Sequence, residues 1–263
     1  METKSPVLVQ HQLNVLRGIA FSAAEVPKLR LGTTLPNASA VITEVSGGGY
    51  LPYDLESSKM YAADAGKTSN STKLIYPAAT ATYKPISWQV TVGSDIFYAG
   101  HLRNGETIDP PDYFFFDTWP DKNFTIDEAN GGGLIQCVGI DLRNKRLNAT
   151  FKGQALTPQG AITIKLTKTA PHPLTGQLEA NTFVAEKEYP CATTSWEDPL
   201  LSRKTENLLP IAFDQFTADT GQIPGYQIWS ENELWYWGTL APGKYGWNRD
   251  LLTVEPGGII IRG

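Results

Sequence analysis

Apolar and polar residues alternate in short runs along most of the chain, which is the pattern of β-strands with one buried face. In the segment 90–98, two apolar runs flank a Gly-Ser-Asp turn and predict a β-hairpin. The segment 228–237 repeats this pattern around Ser-Glu-Asn-Glu. Strands are predicted at residues 13–21, 27–34, 40–45, 73–76, 86–92, 96–102, 133–141, 147–154, 161–168, 181–187, 208–213, 224–229, 233–239, 250–254 and 258–262.

Helix is predicted to be scarce. No window keeps a 3.6-residue apolar period for more than two turns, so any helix is expected to be short and to lie within 55–64 or 199–206. About seven strands in each half of the chain fit a β-sandwich or a small barrel. The predicted fold class is therefore all-β.

The chain also repeats itself. Leu13-Asn14 recurs 134 positions later, the run that begins Leu29-Arg30-Leu31 recurs 135 positions later as Ile164-Lys165-Leu166, and the segment 97–102 recurs 138 positions later. An offset that holds over a block and then shifts by about three residues is expected of two copies that differ by one small insertion. The sequence therefore predicts an internal duplication.

Each copy ends in a Gly-rich turn that runs into an apolar strand, at 131–135 and at 257–261. We therefore expect two tandem β-sandwich-like domains. The predicted boundaries are an N-terminal arm at 1–12, a first domain at 13–136 and a second domain at 137–263. Between Arg103 and Asn130 the first copy carries a segment rich in Pro, Asp and Phe, which the second copy lacks.

Composition narrows the possible partners. Hydrophobic residues make up 41% of the chain and charged residues 19%, which fits a folded protein. The net charge is −5 and no Lys/Arg run could follow a phosphate backbone, so no nucleic-acid partner is expected. No apolar stretch approaches the roughly 20 residues of a membrane span, and the first twelve residues hold no signal sequence. We expect no membrane insertion, and either folding in a cytoplasm or export from it without a Sec signal.

Residues that carry chemistry are few and scattered. Cys137 and Cys191 are expected to be buried free thiols, and none of the three His residues has a cluster of further ligands. No nucleophile or phosphate-binding motif occurs. The nearest carboxylate groupings are expected to be solvated residues of loops, and they are Asp112, Asp117 and Asp121 and the pair Glu186 and Glu188. The sequence predicts no catalytic, cofactor or metal site, and hence no enzyme.

Aromatic residues are the candidates for a binding surface, because adjacent strand positions point to opposite faces and one sheet cannot bury them all without cover. Two readings are open. Either one face is core and the other is covered by a loop or a neighbouring subunit, or the rings form a platform for sugar. The candidate interface residues are Phe114, Phe115, Phe116, Trp229, Trp235, Trp237 and Trp247.

Several motifs in the first copy carry a family resemblance. The run Thr-Glu-Val-Ser-Gly-Gly-Gly-Tyr at 43–50 precedes Leu-Ile-Tyr-Pro-Ala-Ala-Thr at 74–80, Ile-Ser-Trp at 86–88 and Ile-Phe-Tyr-Ala-Gly-His-Leu at 96–102. In this order they resemble a small β domain of tailed-bacteriophage tail proteins, over roughly residues 12–118. The second copy has lost the Gly-rich turn and the Pro-Ala-Ala-Thr segment.

The resemblance implies a non-enzymatic structural virion protein, a tail, baseplate or fibre component that joins neighbouring subunits. It would be assembled in the bacterial host cytoplasm, with other phage structural proteins and copies of itself as partners. Two alternatives stay open at this point. One is a carbohydrate-binding module that recognises a host surface glycan, and the other is a head or neck decoration protein.

Overall fold

The protein forms two compact units, each made of three chain segments. Unit 1 contains Met1–Val9, Ser22–Leu134 and Asn144–Ala155, and unit 2 contains Gln10–Phe21, Ile135–Arg143 and Leu156–Gly263. The structure is a computed structural model that describes residues 3–47, 50–69, 71, 75–76, 85–101, 114–115, 125–127, 138–158, 160–172, 176–178, 183–199 and 203–262.

The central sheet of unit 1 has five antiparallel strands in the order β1-β7-β6-β2-β3. Two further strand pairs, β4 with β9 and β5 with β8, belong to the same unit. The strands are β1 (Thr3–Lys4), β2 (Lys28–Gly32), β3 (Tyr53–Asp54), β4 (Lys67–Ser69), β5 (Ile75–Tyr76), β6 (Ser87–Val92), β7 (Asp95–His101), β8 (Phe114–Phe115) and β9 (Thr125–Asp127).

Unit 2 has a four-stranded antiparallel sheet in the order β11-β10-β14-β15. Two short pairs, β12 with β17 and β13 with β16, complete its strands. The strands are β10 (Ala161–Thr167), β11 (Phe183–Pro190), β12 (Lys204–Glu206), β13 (Ile211–Ala212), β14 (Gly221–Ser230), β15 (Glu233–Gly246), β16 (Thr253–Val254) and β17 (Ile260–Arg262).

The mostly β fold class is confirmed, with 40% of residues in strands and 14% in helices. Both predicted hairpins are present, as β6 with β7 and as β14 with β15. The predicted strand at 40–45 is wrong, because it makes only an isolated bridge between Gly32 and Glu44. Of the two windows expected to hold any short helix, 55–64 contains a 3-10 turn at Ser57–Lys59. In the window 199–206, Lys204–Glu206 forms a strand and residues 200–202 lie outside the described residues.

Two α-helices replace predicted strands. Helix α1 covers Pro6–Asn14 and continues into a 3-10 turn, so the strand expected at 13–21 is wrong. Helix α2 covers Ile140–Phe151, so the strand expected at 147–154 is wrong and the one at 133–141 ends in helix. The buried side of α2 includes two arginines and a threonine, and these polar residues hid its helical period from an apolar-pattern search. They are Arg143, Arg146 and Thr150.

The strands of the two units correspond in order and in pairing. The ladder of β6 with β7 shifts register after Val90, and the ladder of β14 with β15 shifts after Ile228, which lies 138 positions later. The intervening turns match too, since Gly93 and Glu231, also 138 apart, both have positive φ, at 57° and 54°. This correspondence agrees with the predicted duplication, which stays a prediction.

Glycine is required at one matched site of each hairpin. A Cβ on Gly100 would lie 2.4 Å from the Trp88 ring, and a Cβ on Gly238 would lie 2.7 Å from the Tyr226 hydroxyl. Both aromatic rings are buried in the core of their unit. The backbone of β7 or β15 therefore passes directly over a core ring, which only a residue without a side chain permits.

Candidate aromatic and acidic surface

The candidate tryptophans of unit 2 separate into buried and exposed ones. Trp235 is 1% exposed and Trp237 is 4% exposed, whereas Trp229 is half-buried and Trp247 is 55% exposed. A loop covers Trp237, because a Cβ on Gly176 would lie 2.5 Å from the Trp237 ring. Trp237 thus lies under a loop and Trp235 is buried, so the two candidate tryptophans with accessible side chains are Trp229 and Trp247.

The other candidate residues lie largely beyond what the structure describes. The backbone of Phe114 and Phe115 forms β8, while their side chains and the whole of Phe116 fall outside the described residues. The loop carboxylates between 112 and 121 and the thiol of Cys137 also fall outside them. Cys191 is a buried free thiol, and burial raises its pKa to about 11.

Trp247 sits on a loop that hydrogen bonds hold in place. The backbone N–H of Asn248 donates to Oδ1 of Asp219 at 2.7 Å, that of Arg249 donates to the carbonyl of Phe216 at 2.9 Å, and that of Asp250 donates to the carbonyl of Trp247 at 3.0 Å. A partner that contacts Trp247 therefore meets an ordered loop, which lowers the entropic cost of binding.

A groove of about 350 Å³ lies beside this loop, between the start of β11 and residues 214–220. Its lining residues include Phe183, Glu186, Asp214 and Lys168. An ion pair of 3.0 Å joins Lys187 of β11 to Asp214. The groove is polar and carries aromatic rings at its margin.

Lys165 connects this groove to Trp229. Its Nζ lies 5.1 Å from the ring centre of Phe183 and 5.2 Å from that of Trp229, both within cation–π range. The same Nζ lies 3.4 Å from Oε2 of Glu186, whose side chain is 67% exposed. We call the surface formed by Lys165, Phe183, Glu186, Trp229, the groove and the Trp247 loop the aromatic surface of unit 2.

The equivalent site in unit 1 holds a network of hydrogen bonds around Arg30. Its Nη1 lies 2.7 Å from Oε2 of Glu44, and its Nε donates to Oγ1 of Thr91 at 3.1 Å. The hydroxyl of Tyr50 accepts from the backbone N–H of Leu31 at 2.8 Å and donates to Oε1 of Glu44 at 3.2 Å. Burial raises the pKa of the Tyr50 hydroxyl well above its usual value.

The sequence search missed this network and the role of Lys165. Arg30 aligns with Lys165 at the offset of 135 and Thr91 aligns with Trp229 at the offset of 138, so the repeat already contained the signal. The Glu44 and Tyr50 of the recognised motif also gain a role. The hydroxyl of Tyr50 bridges the carboxylate of Glu44 and the backbone of Leu31 in strand β2.

Comparison with known families assigns the chain. The model of the family described as podophage GP4 fiber I protein gp80 matches residues 4–119 and 140–262, which is most of the sequence. The chain belongs to this family. No curated protein matches it. As a member of this fibre family it is a structural component of a tailed-phage fibre and of the virion, which confirms the recognised resemblance.

Among the described residues, no group of three or more His, Cys, Asp or Glu is placed to hold a metal ion. None of the helices that the structure describes is long and apolar enough to cross a membrane.

Proposed function

We propose that the chain is a non-enzymatic fibre component that joins neighbouring subunits, and that the aromatic surface of unit 2 makes one of these contacts. Its partners would be other structural proteins of the phage and copies of itself, assembled in the cytoplasm of the bacterial host. The observation that carries this proposal is the exposure of Trp247 on a hydrogen-bonded loop.

The surface around Trp247 has the composition of a protein interface. Tyr245 is 58% exposed and Leu251 is 73% exposed, so three large apolar side chains near one loop face solvent. Tryptophan and tyrosine are enriched among the residues that dominate binding energy, and a cluster of such side chains on a folded surface marks an interaction site. The carboxylates of the adjacent groove would form a polar rim.

The test is a binding experiment on the purified full chain. Trp247→Ala should reduce capture of the tail and fibre proteins of the same phage at least about tenfold, the effect of removing a central aromatic contact. Tyr61→Ala is the matched control, because Tyr61 is an aromatic residue of unit 1 with nearly the same exposure, 54%. Equal capture by the wild type and Trp247→Ala would contradict the proposal.

A second candidate function, recognition of a host surface glycan, is favoured by the chemistry of the groove. Sugar rings present apolar C–H faces and hydroxyl edges, which suit an aromatic ring beside carboxylates. Phe183 and Glu186 provide this pair in the groove. A glycan array would show binding that is lost in both Trp247→Ala and Glu186→Gln, whereas loss of protein capture without any glycan signal would favour the assembly role.

The third reading of the sequence, a head or neck decoration protein, finds no support, since the matched family is a fibre family. Catalysis by the paired carboxylates also finds no support. Glu186 and Glu188 lie on one strand, and Glu186 is paired with Lys165. Release of reducing sugar from host polysaccharide would overturn the non-enzymatic proposal.

A further inference from the structure

The two units share the chain in an unexpected way. Residues 13–21 of the first copy, together with residues 10–12 of the predicted arm, are part of unit 2, and residues 144–155, which belong to the second copy, are part of unit 1. The two segments are equivalent, because both of their ends differ by the repeat offset of 134. Each unit therefore contains one helical segment that comes from the other copy.

Asparagine side chains fasten the segment 144–155 within unit 1. Oδ1 of Asn148 accepts the backbone N–H of Ala63 at 2.8 Å, and Oδ1 of Asn144 accepts that of Gly66 at 2.8 Å. Each bond satisfies a backbone donor of a first-copy loop with a side chain of the second copy. Removing either acceptor would leave that donor without this partner.

Core packing joins the same segment to unit 1. The rings of Phe151 and Tyr98 stack with their centres 6.0 Å apart, and both side chains are almost completely buried. The ammonium group of Lys152 also donates to the backbone carbonyl of Met60 at 2.8 Å. The segment thus contributes core as well as polar contacts to a unit made mainly of the first copy.

The segment 10–21 has matching contacts within unit 2. Phe21 and Leu156 exchange two backbone hydrogen bonds, at 3.0 and 2.8 Å. Arg17 forms an ion pair of 2.9 Å with Asp198, and Leu16 is fully buried. The exchange is therefore reciprocal, with each copy giving the equivalent segment.

We propose that this exchange makes the two copies complete each other, so that the stability of each unit depends on a helical segment of the other copy. Neither copy is then an autonomous domain, and the partner that each copy requires is a second copy of the same repeat.

Hydrogen exchange on the full chain under native conditions tests this proposal, because it reports the opening of each unit separately. Phe151→Ala should accelerate exchange about 100-fold or more in strands β6 and β7 of unit 1, and much less in β10 and β14 of unit 2. Leu16→Ala should do the opposite. The expected pattern is crossed: each substitution weakens the unit built mainly from the copy that does not contain it.

The controls use the same helix and milder changes. Ile140→Ala lies in α2 but is 56% exposed, so it should leave both units unchanged. Phe151→Leu and Leu16→Val replace the alanine variants if those fail to fold. The opposite pattern, in which Phe151→Ala accelerates exchange more in β10 and β14 of unit 2 than in β6 and β7 of unit 1, would overturn the proposal. Equal acceleration in both units would overturn it as well.

Discussion

Arg30 and Lys165 occupy equivalent places in the two units, yet their surroundings differ. Arg30 faces Gln89 across the sheet and Lys165 faces Gln227, so the strand positions are the same. In unit 1 the cation pairs with the carboxylate of Glu44, beside the hydroxyl of Tyr50. In unit 2 it lies between two aromatic rings and beside a largely exposed carboxylate.

The comparison distinguishes the backbone features that both units share from the side chains that give each surface its own properties. Both units keep the bulge, the turn and the glycine over the core ring. The outer side chains differ: unit 1 has a polar network around Arg30, and unit 2 has aromatic rings and a more exposed carboxylate around Lys165. A hydrogen-bonded network stabilises its own unit, whereas exposed rings and charges are available to a partner.

The largest effect on stability is expected from core substitutions, and its size should be the same in the two units. Phe97 and Trp235 are equivalent core residues, 3% and 1% exposed. Changing either to Ala should lower the free energy of unfolding by about 3–5 kcal/mol, through lost burial and the cavity left behind. Chemical denaturation monitored by circular dichroism measures both. If one of the two substitutions lowered the unfolding free energy by less than about 1 kcal/mol, the two core positions would not be equivalent.

Tyr50→Phe should have the next largest effect. The change leaves the backbone N–H of Leu31 without its acceptor and removes a donor to Glu44, so the unfolding free energy should fall by about 1–2 kcal/mol. Tyr61→Phe is the matched control and should change stability by less than about 0.5 kcal/mol, because Tyr61 is exposed. Equal effects of the two substitutions would show that the network does not stabilise unit 1.

Alkaline pH should act through the same hydroxyl. Folding raises the pKa of Tyr50 above the value of about 10 for an unfolded tyrosine, so the unfolded state releases this proton first. Stability is therefore fully present below pH 10 and is lost as the pH rises towards the folded pKa. Melting temperatures between pH 8 and 11 should fall less steeply in Tyr50→Phe than in the wild type, and parallel curves would contradict this account.

The smallest effect on stability is expected at Lys165. Lys165→Met keeps the stem that packs on the rings and removes only the charge, so the unfolding free energy should change by no more than about 0.5 kcal/mol. A loss as large as that of Tyr50→Phe would mean that the site in unit 2 is a stabilising network like that in unit 1.

The sequence predicted the elements whose polar and apolar residues alternate cleanly. Strand β10 is an example, because its buried Ile162, Ile164 and Leu166 alternate with more exposed positions. Helix α2 could not be predicted, because buried Arg146 and Thr150 occupy its apolar face. Nothing local in a sequence marks an arginine that folding will bury.

The candidate site was predictable only in part. Trp235, Trp237 and Trp247 look alike in sequence, and what separates them is a covering loop near Gly176 and the position of Trp247 beyond the sheet. The network of Arg30 with Tyr50 also depends on contacts made by folding. Its residues are 20 positions apart, and no short-range pattern joins them.

The most direct test of the central proposal places a photoreactive benzoyl-phenylalanine at position 247 and irradiates assembled particles. The account predicts covalent products between this chain and a neighbouring fibre or tail protein, or a second copy, and no such products from the same probe at position 61. Particles that assemble normally but give no protein crosslink from position 247 would contradict the proposed joining role of the aromatic surface of unit 2.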